Sequence, residues 1–256
     1  MIDKAAPTEV LKIVAEGPTT SFRYPHFAVG VQPTYEMPPP STIYGHICSA
    51  IGDLVDPRGV RFAYHFTHAG QVEDLEHVHV LSPSTGRLLG TAFPKVLEGN
   101  VNPFRRALLF RPRLVLYLNR PEWEAAFRSP RYAVVLGRSQ DLFTYTSVGR
   151  LALEPTSQAY FEATIAPYEM ARRTGRGVVV LMPRFLDGER NRAPEFARYV
   201  MLRDRIFSDD LVRLPGEASE TYLTDPTATV IRGRRLGLFF HSFLDEDSRA
   251  TNYSVA

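Results

Sequence analysis

Residues 61–67 alternate cleanly, with Phe62, Tyr64 and Phe66 on one side and Arg61, Ala63 and His65 on the other. Alternation with period two predicts a strand with one face in a core. Residues 10–15 (VLKIVA) predict an earlier strand, and residues 76–81 alternate again, His77 and His79 against Val78 and Val80. The two alternating runs read as an antiparallel pair joined near Ala69-Gly70-Gln71. Further along, 108–118 is a long strand candidate, 121–127 a short helix with Pro121 at its first position, and 132–136 another strand. Past Leu151, strand candidates cover 177–182, 228–231 and 238–243.

Residues 21–52 combine two patterns. The first half is aromatic and punctuated by prolines, hence extended, and Pro38, Pro39 and Pro40 forbid helix until Ser41. Ser41 or Thr42 can serve as the cap of a helix that starts there. Ile43, Ile47, Ala50, Ile51 and Leu54 recur at helical spacing and predict a helix over 41–54 with one buried stripe. Gly45 inside that helix costs about 1 kcal/mol relative to alanine, which marks a turn that another backbone or a ligand approaches closely. Tyr44, Gly45 and His46 are thus delivered to one place, directly after a rigid arm.

This order of elements suits an α+β chain built on an elaborated ferredoxin-like or RRM-like antiparallel sheet. The expected organisation is a first domain over 1–154, with an insertion at about 84–107, and a smaller β-rich part over 155–256. Hydrophobic residues at 44% and charged residues at 23% are those of a soluble globular protein. No apolar run nears the roughly 20 residues of a membrane helix, and the single cysteine, Cys48, rules out an internal disulfide and a cysteine-based metal site. A reducing cytoplasm is the expected setting.

The net charge is only +2, but it is unevenly spread. From Lys95 to Arg150 ten cations face four carboxylates, so this stretch carries +6 and the rest of the chain −4. A basic middle on a nearly neutral protein is a footprint for phosphate, with Lys95, Arg105, Arg106 and Arg111 as candidate contacts. On the arm, Arg23, Tyr24 and His26 can contact phosphates and stack on the bases of a single strand. Alternatively, the arm's aromatic residues pin it to the core. Gly137-Arg138-Ser139-Gln140 follows a predicted strand, so its backbone N–H groups can point at a phosphate that Arg138 neutralises. The alternative is an ordinary turn in which Ser139 and Asp141 bond the local backbone.

Tyr44 and His46 invite a metal-independent ribonuclease, in which a base takes the 2′-OH proton and the alkoxide attacks phosphorus. The missing part is a proton-donating cation. The chain has three lysines among 30 basic residues, and arginine is a poor donor at neutral pH. His65, His77 and His79 lack completing carboxylates or cysteines, so no metal and no cofactor are expected.

The succession of extended arm, Pro39-Pro40-Ser41-Thr42-Ile43-Tyr44-Gly45 and helix resembles the N-terminal signature of the Cas-five family of CRISPR-associated RAMP proteins. The run from Leu136 to Leu142 is similar to that family's glycine-arginine loop. The resemblance extends from about Val10 to Pro155. It implies a non-catalytic subunit of a type I Cascade surveillance complex that binds the CRISPR RNA 5′ handle and caps the backbone filament. The implied partners are that handle, the adjacent backbone subunit and the large subunit, with target DNA near the PAM-proximal end within reach and no membrane. The insertion at 84–107, with Phe93, Pro94 and Phe104, would be the family's thumb. Some relatives cut the RNA precursor, which makes an endoribonuclease the alternative.

Overall fold

The computed structural model describes residues 8–27, 30–188, 190–212 and 220–244. Its centre is a five-stranded antiparallel sheet in the order Thr144–Ala152, Glu9–Glu16, Arg113–Leu118, Arg61–Thr67, His241–Ser242. Taken along the chain, strand, helix, two strands, short helix and strand build its first four members, arranged as fourth, first, third, second. One face is covered by the helix Pro40–Ile51, where Ile43 and Ile47 meet Leu11, Ile13, Phe62, Tyr64, Phe66, Leu114 and Leu116 in a single core. The other face packs Val10, Val14, Ala63, Val115 and Tyr117 against Leu223, Leu236 and Leu238 of the second half. A sheet covered on both sides explains why Ala63, assigned to the polar side by its alternation, is as buried as Phe62.

The second half holds a five-stranded sheet and the three-stranded sheet Thr164–Pro167, Ala193–Leu202, Val178–Asp187. It also returns His241–Ser242 to the edge of the central sheet.

Several expected elements change. The strands 61–67 and 76–81 do not pair with each other. Arg61–Thr67 takes Arg113–Leu118 as its neighbour, and Gly70–Pro83 pairs over its whole length with Leu97–Phe110. The candidate 108–118 is two strands, because Pro112 has no N–H for a ladder and Arg111 turns with φ +50°, its N–H held by the Pro18 carbonyl at 2.8 Å. Residues 132–136 form no strand, only an isolated bridge between Val135 and Leu142. Residues 228–231 likewise contribute only a bridge, from Ile231 to Arg234. The helix opens one residue early, with Pro40 in its first turn and no side-chain cap from Ser41 or Thr42. It closes at Gly52 in the left-handed region (φ +92°), before Leu54, which is exposed.

The expected insertion is a hairpin of two 14-residue strands, Gly70–Pro83 and Leu97–Phe110, so residues 84–107 hold its tip and most of its return strand but none of its outgoing one. Thirteen steps at about 3.4 Å per residue make it about 44 Å long.

Candidate nucleic-acid interface

The arm is stitched to the root of the hairpin by short pairings. Thr19–Thr20 pairs with Leu109 and Phe110, and Val31–Gln32 runs parallel to Arg105 and Arg106. Phe22–Arg23 pairs with Thr34–Tyr35. Prolines at 18, 25 and 33 keep each pairing to two residues. Ser21 Oγ adds a hydrogen bond to the Ala107 carbonyl at 2.9 Å.

Along this arm the aromatic residues divide. Phe22 is buried edge-on to Phe66, and Tyr24 is half-buried, stacked on Tyr35 with ring centroids 3.7 Å apart. These two pin the arm. His26 is exposed and lies over Phe196, and Phe27 is exposed beside Tyr24. Arg23 is exposed and has no ion pair among the described residues, and the same holds for Arg105 and Arg111. The run from Val31 to Tyr35 sets Val31 against Arg105 and Thr34 against Arg23, so one short segment carries both registers.

Tyr44, Gly45 and His46 do not form one surface. The Tyr44 hydroxyl donates to the Val55 carbonyl, and its ring packs edge-on against Phe185 and Phe243. Burial raises the Tyr44 pKa. His46 is buried, with Nδ1 2.9 Å from the Val135 carbonyl and Nε2 2.9 Å from the Tyr145 hydroxyl. Burial lowers its pKa, so the ring is neutral at pH 7. His46 therefore latches residues 132–136 to the helix, which is the role a strand ladder would have had, and neither ring nitrogen is open to a ligand. Gly45 is exposed, and a Cβ there would meet nothing within 4 Å. The close approach expected at Gly45 comes from no described residue.

The Gly137 loop is internal on one side and open on the other. Gly137 has φ +99°, and a Cβ on it would fall 2.5 Å from Thr20 Oγ1 and 2.8 Å from the Ser21 carbonyl. The arm, then, is what requires glycine here. Arg138 turns inward. Its Nε and Nη2 donate to Asp141 at 2.9 and 2.7 Å, and its Nη1 donates to Glu76 on the hairpin. Glu76 also accepts from Arg106 Nε at 2.7 Å, and the Arg106 guanidinium lies over the Phe104 ring. Hydrogen bonding to Asp141 is the main cause that raises the Arg138 pKa. Ser139 and Gln140 remain on the outside.

The arm, the hairpin root and the Gly137 loop thus meet, with Arg23, His26, Arg105, Arg106, Ser139 and Gln140 around them. Lys95 does not join them. It pairs with Glu98 at 3.0 Å near the hairpin tip, and the eight steps from Leu97 to Arg105 span about 27 Å at about 3.4 Å each. His65 sits on the central sheet while His77 and His79 lie on the hairpin, and among the described residues no three potential ligands gather for a metal. Among the described residues no helix is long and apolar enough to cross a membrane.

No family model and no curated protein matches this chain. Solved structures do. A chain described as "CRISPR RNA-guided surveillance complex" is 16% identical, with 82% of this chain and 95% of that one covered at a TM-score of 0.49. A "Crystal structure of Cas protein" is 15% identical over 76% of this chain and 95% of that one, with a TM-score of 0.35. A chain of a "Type III-B Cmr-beta bound to cognate target RNA and AMPPnP" is 10% identical over 78% and 86%, with a TM-score of 0.44. At these scores the likeness carries no weight of its own, and the functional reading rests on the residues described above.

Glu76 is the member that sequence reasoning missed. It tethers two arginines from different segments, yet in the sequence it is one more acid on an alternating run. His46, by contrast, carried a readable signal: Ile43, His46, Ile47 and Ala50 fall at i, i+3, i+4 and i+7, the spacing of a buried helix face, and all four are buried.

Proposed function

We propose that this chain is a non-catalytic RAMP subunit of the Cas-five type, which grips the 5′ handle of a CRISPR RNA in a type I surveillance complex. The strand order fourth, first, third, second, with helices after the first and third strands, supports reading the sheet as a ferredoxin-like or RRM-like unit. The observation that carries the reading is the junction of arm and hairpin. There Arg23, Arg105 and Arg111 are exposed without ion pairs among the described residues, beside exposed His26, Ser139 and Gln140. Such side chains suit a single-stranded phosphate backbone better than duplex bases. Leu75, Val80, Leu81, Leu97 and Val101, more than half exposed along the hairpin, suit an adjacent protein subunit. Separate engagement of Tyr44 and His46 supports a binding role over a cutting one.

The test is anisotropy of a labelled single-stranded RNA carrying the repeat-derived handle, titrated with the full chain from 50 to 200 mM salt. Three single-strand phosphate contacts give a slope of log affinity on log salt near −2. Arg23→Ala with Arg105→Ala should flatten that slope by about 1.4, at about 0.7 for each phosphate released. An unchanged slope in the double variant places the RNA elsewhere.

A further inference from the structure

The outer face of the central sheet is not fully closed by the second half of the chain. Between them lies a cleft of about 760 Å³, within the size range of small-molecule sites. Its floor is built from Lys12, Val14, Val115 and Tyr117. At the back Asp225, fully buried, accepts hydrogen bonds from Lys12 Nζ at 2.5 Å, the Tyr117 hydroxyl at 2.7 Å, and the backbone and hydroxyl of Thr227. Those donors saturate the carboxylate, so Asp225 is a structural anchor and Lys12 is already engaged.

At the mouth the charge is less settled. Arg113 and Arg205 line the cleft with side chains 47% and 39% exposed. His65 feels both of them electrostatically, and its ring is 3.9 Å from Glu162. Burial chiefly lowers the His65 pKa, with Arg113 and Arg205 adding to it against the pull of Glu162, so the ring is neutral and can donate a hydrogen bond. Arg113 pairs with Glu16 at 2.8 Å, but Glu16 is not part of the lining, and Arg205 pairs with Glu162 at 2.8 Å. Arg113–Glu16 is an exposed pair of the kind that adds little to stability, so an arriving anion can take Arg113 at little cost, whereas Glu162 itself lines the cleft with its side chain only 21% exposed and shares Arg205 with whatever binds. Arg150 also borders the cleft, but its guanidinium is turned to Glu124. Arg113, Arg205 and the His65 ring thus share the mouth with the Glu162 carboxylate, and guanidinium forks together with an imidazole suit a phosphate ester that competes with Glu162 for Arg205. The volume leaves room for far more than a phosphate, and the Ser147 and Thr229 positions and the apolar Val14, Val115 and Leu236 supply mixed walls.

We propose that this cleft is a second nucleotide site, separate from the arm and hairpin junction, in which Arg113, Arg205 and His65 hold the phosphate of a nucleoside phosphate. The nucleotide can be free or one residue of an RNA chain; the recognising chemistry is the same. Isothermal titration of the full chain with AMP tests it, with a single-stranded pentauridylate as competitor. AMP should bind saturably. Arg113→Ala with Arg205→Ala should weaken it about tenfold or more, the effect of removing charge-assisted hydrogen bonds. Arg113→Lys with Arg205→Lys, which keeps charge but not the fork, should lose less. Arg23→Ala with Arg105→Ala should leave AMP binding intact, which separates this site from the RNA interface proposed above. Competition by the pentauridylate assigns the site to an RNA chain, and its absence assigns it to free nucleotide. Undetectable AMP binding, or binding unchanged in the Arg113 and Arg205 double variant, overturns the proposal.

Discussion

Replacing Arg138 by alanine should unfold the Gly137 loop before it says anything about RNA. The Asp141 side chain is fully buried and the Arg138 side chain only 15% exposed. In the variant Asp141 loses the guanidinium bonds at 2.9 and 2.7 Å and keeps the Arg138 backbone N–H at 2.9 Å and a long hydrogen bond from Thr19. Breaking a buried pair by removing one partner costs about 3–5 kcal/mol. The retained N–H places this case at the low end, about 3 kcal/mol. For a chain of this size that lowers the melting temperature by about 6–12 °C. Glu76 suffers less, because it is partly exposed and keeps Arg106. Adding Asp141→Asn removes the orphaned charge, so the double variant should recover at least about 1 kcal/mol relative to the sum of the singles. Urea denaturation of the four proteins of the cycle measures both quantities. If Arg138→Ala costs less than about 1 kcal/mol while handle binding still collapses, Arg138 is a phosphate contact and the buried-pair argument fails.

Acid should weaken the fold through its buried histidines. His46 and His241 are buried, and burial lowers the pKa of both, His241 to about 4. As pH falls below about 6.5 the unfolded chain takes up the proton first. Stability is then complete above that value and lost towards pH 4, by about 3 kcal/mol for His241. His241→Gln should flatten the difference between urea midpoints at pH 7.5 and 5, and an equally steep variant would show that other groups dominate. None of residues 78–102 is buried, so replacing them by Asn-Gly should leave the melting temperature within a few degrees while abolishing co-purification with neighbouring complex subunits. Normal assembly of the truncated chain would make the hairpin idle. Incubation with repeat RNA in EDTA should give no 2′,3′-cyclic phosphate product, and a product that disappears in Tyr44→Phe would restore the ribonuclease.

Elements that bury one face were legible, because burial imposes a period. Phe62, Tyr64 and Phe66 placed the strand Arg61–Thr67 to the residue, and the proline run with Ile43, Ile47 and Ala50 placed the helix. The hairpin was not legible beyond its first strand. With no core on either side, Val78 and Val80 lie on one face and Leu75 and Leu81 on the other, so hydrophobicity does not alternate. The segment 132–136 reads as a strand by composition, but His46 and Phe143 satisfy its backbone in place of a ladder, an arrangement of distant residues that local pattern cannot carry. The same holds at Gly137, where the reason for glycine is Thr20, more than a hundred residues earlier.

The basic middle shows how far a charge count can mislead about position. Of its nine arginines, Arg106, Arg113, Arg120, Arg128, Arg138 and Arg150 each have a carboxylate within 4 Å, drawn from Glu16, Glu76, Glu122, Glu124 and Asp141. Two of those acids, Glu16 and Glu76, lie outside the stretch, so folding imports negative charge that the linear count assigned elsewhere. The surplus that survives belongs to Arg105, Arg111 and Arg131, and Arg131 has its aliphatic stem against Gly52. With a screening length of about 8 Å at physiological salt, a bound phosphate responds to its immediate neighbours and not to the net charge of the whole stretch. On the readings proposed above, phosphate would be held only where folding leaves arginine without an acid or with one it can release. The hairpin root is a place of the first kind, and the cleft beneath the second half is one of the second.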